Sequence, residues 1–365
     1  MTAAVPSSLE PAKTSPSLRR RGIGVVLGLT IALALSAIFA VGSGALEIGA
    51  FDVLDILLAP LGIDLGAAPT EQDAAVLWGI RLPRVVLAIL VGATLAVSGG
   101  VMQGLFRNPL AEPGLVGVSA GAALAAATFM VFGATLLEGL SDAWALYALP
   151  AAAFAGAITC AILVHRASMV GGRTSVATML LAGIAFNALG FAGLGLLQYI
   201  ADDNQLRSLT FWMMGSLAGA TWDSLAVTAP MLILPVLLAP FLARGLNVLQ
   251  LGEAEAAHLG VDVEQLKRIS VGIVALGVGA AVAVSGMIAF IGLVVPHLVR
   301  LSTSPDHRLL LPASALLGAT LLVGADLAAR LVVIPAEMPV GIVTTIVGAP
   351  FFLGLLLAGR KSIRL

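Results

Sequence analysis

The chain has 365 residues, 59% of them hydrophobic and only 11% charged, and its net charge is −1. Its mean hydropathy is +1.05. Soluble domains carry about a quarter charged residues, so this composition excludes a soluble globular protein. The alternation expected of membrane β-strands is also absent. What remains is an all-α polytopic membrane protein. The net charge itself says nothing about partners; the placement of the charges says more.

In chain order, a polar Pro/Ser-rich tail runs to about Leu18. Arg19, Arg20 and Arg21 follow, and then an apolar run over residues 22–44. That run exceeds the core of a signal peptide, about 7–15 residues, and reads as an uncleaved first span with a cytoplasmic tail over 1–21. Residues 45–79 form an acidic outer loop with one short helix. Further spans fall at 83–104, 115–134, 146–165, 175–198, 226–243, 269–285, 287–300, 309–327 and 339–358. Residues 269–300 would make a single helix of about 48 Å, too long for one crossing of about 30 Å. A break near Ser285-Gly286 turns the stretch into two spans.

Charge selects ten spans over nine. Ten spans place 15 of the 19 Lys and Arg residues in cytoplasmic segments and leave only Arg81, Arg84, Arg207 and Arg330 outside. Nine would put the RKSIR tail outside, against the positive-inside bias. Both termini are therefore expected in the cytoplasm, with residues 1–365 forming one transmembrane domain.

Residues 91–99 read VGATLAVSG and residues 278–286 read VGAAVAVSG, matching at seven of nine positions. The same offset of 187 pairs Arg81 with Arg268 and Pro109 with Pro296. An odd number of spans precedes the segment near 244–268, so the second copy runs opposite to the first. Inverted repeats of this kind are a signature of transporters.

Arg81-Leu82-Pro83-Arg84 opens the second span, with Pro83 suited to a first helical turn. Arg330 makes a third arginine at the outer edge, and Asp326 is spaced to pair with it at i,i+4. Guanidinium forks on an acidic outer face suit the carboxylates of a soluble partner. The segment RNPLAEPG (107–114) carries two prolines and cannot continue a helix. It is either a plain cytoplasmic loop or irregular backbone buried in protein or lining a wet cavity. Residues 244–268 are the one long polar inner segment between spans. Within it, Glu253 to His258 read as a short helix stopped by Gly260, suited to docking on a cytoplasmic partner.

Several chemistries are set aside. GVSAG (117–121) matches a hydrolase string, but it opens an apolar helix, where Gly117 and Gly121 suit close packing. None of the three lysines follows the glycine of a phosphate-binding loop. The four histidines and Cys160 show no metal spacing. Cys160 reads as a small core residue. No metal site, resident cofactor or nucleic-acid partner is expected.

RLPRVVLAILVGATLAVSGGVMQGLFRNPLAEPGLVGVSAGA strongly resembles the permease subunits of type II ABC importers, the FecCD family that carries vitamin B12, iron siderophores and haem. GMIAFIGLVVPHLVRL, DHRLLLP and AEMPVGIVTTIVGAPFF resemble the same family. The likeness runs from about Ile80 to the C-terminus.

The resemblance implies ten helices in the type II importer permease fold, embedded in lipid of the bacterial inner membrane. It implies a permease homodimer, two separate ATP-binding subunits that use ATP and magnesium, and a periplasmic substrate-binding protein. Glutamates of that protein would meet Arg81, Arg84 and Arg330. The family's coupling helices correspond to residues 247–264, with Leu251, Gly252, Glu253, Ala254, Ala257, Leu259 and Gly260 meeting the ATPases. Span five corresponds to the helix lining the central pathway, bringing Thr178, Asn187 and Gln198 toward the cargo. GRTSVATMLLAGIAFNALG and QYIADDNQLRSLTFWMMGSL look most like haem-importing members, so haem is the expected cargo and a siderophore or vitamin B12 the alternative. An ion-coupled secondary transporter is a second alternative. It would need an ionisable relay inside the membrane, and such residues are scarce. An intramembrane enzyme would need a nucleophile and base that the histidine placement does not supply.

Overall fold

The computed structural model describes residues 16–44, 46, 48–66, 69–136, 142–333 and 336–362. Among the described residues ten longer helices build the bundle: α1 (Pro16–Gly42), α4 (Leu82–Leu105), α5 (Val118–Leu136), α6 (Asp142–Ala167), α7 (Val176–Ile200), α9 (Trp222–Leu249), α11 (Val263–Ser285), α12 (Ile291–Ser302), α13 (His307–Leu331) and α14 (Val340–Ser362). Short helices connect them: α2 (Ala50–Leu58), α3 (Glu71–Val76), α8 (Asp203–Met213) and α10 (Glu253–His258). A two-stranded antiparallel hairpin, β1 (Met169–Val170) and β2 (Arg173–Thr174), precedes α7. Among the described residues seven helices are long and apolar enough to cross a membrane.

Local chemistry sets the helix starts. Thr70 with Asp73, Asp202 with Gln205, and Thr221 with Ser224 form reciprocal caps that open α3, α8 and α9. Pro83 sits in the first turn of α4, where its missing N–H leaves no bond unmade. The outer loop holds two short helices, α2 and α3, rather than the one expected. A single π-helical turn, Leu77–Arg81, joins α3 to α4.

α4 is the axis of the bundle, with 20 of its 24 residues buried, and α13, α9, α11 and α12 surround it. α1 is the opposite case, with 6% of its apolar window buried. One side of it packs on α13 and the other is exposed. A Cβ on Gly99 would lie 1.7 Å from the Gly292 carbonyl oxygen, so α4 and α12 cross backbone to backbone. A Cβ on Gly121 would lie 2.5 Å from the Gly156 carbonyl oxygen. The GVSAG string is thus a packing face between α5 and α6.

The repeated segments run antiparallel. The C-terminus of α4 and the N-terminus of α11 meet at one end, where Gln250 Nε2 donates to Gly104 O at 2.9 Å and Leu266 packs on Gly245. Yet the two copies end differently. α4 continues through Ser98 and Gly99, whereas α11 stops at Ser285. Gly286 and Phe290 both take positive φ, +66° and +69°, and α12 resumes at Ile291.

The expected eighth span, 287–300, is therefore corrected to a half-span. α12 has 12 residues, about 18 Å, and Gly292 lies against Leu95, midway along α4. The RNPLAEPG segment divides: Arg107 to Leu110 are exposed, whereas Ala111 and Pro113 are buried, and Pro113 reaches Gly292. Two irregular segments thus meet at mid-depth from opposite ends, where backbone of this kind needs protein or a cavity around it.

Candidate functional site

At the end where α1 finishes and α4 begins, the three singled-out arginines do converge. All are buried: Arg81 is 6% exposed, Arg84 7% and Arg330 9%. Arg84 Nε donates to both oxygens of Asp326 at 3.0 and 3.1 Å, and its Nη2 lies 2.9 Å from Asp326 Oδ1. Its Nη1 donates to Glu337 Oε2 at 2.7 Å. Arg330 Nε lies 3.2 Å from the other oxygen of Asp326, the i,i+4 pair expected from spacing. Asp326 is thus a fully buried carboxylate shared by two guanidiniums.

Arg81 has carbonyl partners instead. Its Nη1 donates to Val41 O at 2.8 Å and Gly42 O at 2.7 Å, and its Nη2 to Leu46 O. Arg330 Nη2 donates to Ala40 O at 2.9 Å and its Nη1 to Ser43 O at 3.3 Å. The last carbonyls of a helix have no partner within it and carry the negative end of its dipole. Two arginines from other helices supply the cap of α1.

Arg81, Arg84 and Arg330, expected to meet a soluble partner, thus each have partners within the fold. Most of their donors are engaged, as a buried guanidinium requires; Arg330 Nε has the Asp326 ion pair but no hydrogen bond. Glu337, which sequence reasoning did not single out, is the half-exposed member, with 47% of its side chain accessible.

At mid-depth the two irregular segments border a cavity of about 270 Å³. Leu95, Glu112, Ser119, Asn187, Phe191 and Met287 are among its walls. Asn187 Nδ2 donates to Gly114 O at 3.0 Å and so steadies the re-entrant loop. Of the expected pathway residues only Asn187 reaches this cavity. Thr178 Oγ1 donates to Ser175 Oγ at 2.9 Å beside the α7 N-cap. Gln198 Nε2 lies 3.5 Å from Met213 Sδ. Beyond the cavity, α7 exposes Leu181, Ile184, Leu189, Leu196 and Tyr199.

At the opposite end α10 stands between Gly252 (φ +129°) and Gly260 (φ +82°). The singled-out residues divide by direction. Leu251, Ala254, Ala257, Leu259 and Gly260 are exposed, Gly252 is buried, and Glu253 is partly covered. Leu251 and Leu259 are about two-thirds exposed, at 65% and 63%. Glu253 instead pairs with Lys267 at 2.7 Å. Among the described residues no three His, Cys, Asp or Glu side chains gather in a way that could hold a metal ion.

The FecCD transport family model matches residues 31–358. The chain is 50% identical to the hemin transport system permease protein of Yersinia pestis over 287 residues, 78% of this chain and 84% of that protein. It is 42% identical to the cobalamin import system permease protein of Halobacterium salinarum over 295 residues, 80% of this chain and 77% of the relative. Its fold matches a solved structure described as an inward-facing metal-chelate type ABC transporter. That match has a TM-score of 0.77 and 32% identity, and covers 92% of this chain and 99% of the other.

Proposed function

We propose, for a chain that belongs to the FecCD transport family and is the permease of an ABC importer, that the cargo is haem. The observation carrying this choice is the 50% identity to a hemin permease, against 42% to a cobalamin permease of similar coverage. The remaining parts of the reading follow from the two ends of the bundle. Two copies pair in the bacterial inner membrane with both termini cytoplasmic, and the exposed apolar face of α7 turns toward the shared pathway. Two ATP-binding subunits seat on α10 and its neighbours. They use ATP and magnesium; the permease itself holds no resident cofactor and performs no chemistry.

A periplasmic binding protein docks at the arginine end. Its carboxylates reach Arg84 by displacing the half-exposed Glu337, while Arg81 and Arg330 act from behind by holding α1 and Asp326 in place. Cargo then passes between paired α7 helices, with Asn187 and the mid-depth cavity along its route. Thr178 and Gln198 lie toward the two ends of the same helix.

The test is ligand-stimulated ATP hydrolysis by the complex in liposomes, comparing haem, a ferric siderophore and cobalamin, each on its binding protein. Stimulation by haem above the other two supports the reading. Preferential stimulation by cobalamin or the siderophore replaces the cargo and keeps the machine.

A further inference from the structure

We propose that Lys267 is the positioning residue through which α10 moves α7. This rests on the reading of residues 247–264 as the coupling segment. The side chain of Lys267 is 2% exposed, although it lies near the end of the molecule. Its Nζ donates to Glu253 Oε2 at 2.7 Å and to Thr174 O at 2.7 Å. Glu253 is the first residue of α10. Thr174 is the last residue of β2, and the next residue, Ser175, caps α7 through the Thr178 N–H. One ammonium therefore holds the start of the coupling helix and the start of the pathway helix together.

Glu264 strengthens the second contact. Its carboxylate accepts from the Thr174 backbone N–H at 3.1 and 3.0 Å and from the Thr174 hydroxyl. Both backbone groups of Thr174 are thus fixed by side chains of α11.

The arrangement has the parts of a lever. α10 has six residues, and only Ala256 among them is buried, so it has almost no core of its own. Glycines in the positive-φ region flank it on both sides, and at such positions the chain bends without steric cost. A buried ammonium that loses its partner is strongly penalised. When α10 moves, breaking the Lys267 contacts costs more than carrying β2 along. The hairpin then transmits the displacement to the N-terminus of α7.

The experiment uses the full importer in liposomes and two readouts. The first is haem uptake per ATP hydrolysed. Lys267→Met keeps the stem and removes the charge; ATP hydrolysis persists while uptake per ATP falls about fivefold or more, the lower range of a site-to-site coupling. Lys267→Arg restores most of it. The second readout needs no cargo. Spin labels at positions 258 and 171, on α10 and the hairpin turn, keep one separation with and without ATP in the parent protein, and drift apart with ATP in Lys267→Met.

Unchanged uptake per ATP in Lys267→Met, or label separations that respond to ATP as in the parent, would overturn the proposal. If Lys267→Met does not fold, Glu253→Ala, which removes the acceptor altogether, carries the same two measurements with the same consequences. A parent complex with no ATP-driven haem uptake refutes the cargo reading alone, and the label separations still decide the role of Lys267.

Discussion

At the arginine end, two guanidiniums share one fully buried carboxylate and a third is held by helix carbonyls. At the opposite end, a single buried ammonium holds a six-residue helix. Each cluster also has one half-exposed acid: Glu337 in the first, Glu253 in the second, with 47% and 43% of their side chains accessible. The difference lies in what else secures each end. The arginine cluster ties together α1, α4 and α13, all long helices. The lysine cluster ties down α10, in which Ala256 is the one buried residue. The first arrangement resists motion and the second passes it on.

Breaking the shared carboxylate tests that contrast most severely. Asp326→Asn leaves two buried guanidiniums without a full counter-charge and should cost about 3–5 kcal/mol, read as a lowered unfolding midpoint in detergent. A loss no greater than that of an exposed acid would mean the cluster is not the rigid end. Arg81→Gln removes a charged donor from three carbonyls. It should cost about 3 kcal/mol and speed amide exchange and proteolysis around residues 40–46, because α1 has little other burial. Protection unchanged there would show that Arg330 caps α1 unaided.

Glu253→Gln should cost less, about 1.5 kcal/mol, since Lys267 keeps its bond to Thr174 O. Its main effect should be faster exchange in α10 alone. Exchange spreading through α11 would make the lysine cluster as structural as the arginine one. Glu337→Gln is expected to cost at most about 1 kcal/mol, as half-exposed ion pairs contribute little. By removing the internal competitor for Arg84 it should tighten docking of the binding protein, measured as a lower Kd. Weaker docking would mean that Glu337 orients Arg84 rather than competes for it.

Some of this was legible in the chain. The Asp326–Arg330 pair follows from a spacing of four, and the α10 boundaries follow from Glu253 to His258 followed by Gly260. The small-residue face of GVSAG was visible too. By contrast, Arg84 and Asp326 lie 242 positions apart, and no local pattern announces their pairing. The carbonyls of α1 that hold Arg81 carry no side-chain signal at all. Lys267 looked like one more positive-inside residue, because burial belongs to the packed structure.

The amino-acid sequence alone determined the membrane class, the inverted repeat and the family, since hydropathy, charge bias and motif spacing are local properties. Only tertiary structure decided that α4 runs straight through Ser98-Gly99 while α11 breaks after Ser285. The two segments are nearly identical, but Gly286 lies against the Trp212 carbonyl and Gly215, whereas Gly99 lies against α12. Neighbours far along the chain thus choose between continuing and unwinding. The same physics turned the three arginines inward: a charge inside an apolar bundle takes whichever partner the fold brings within reach.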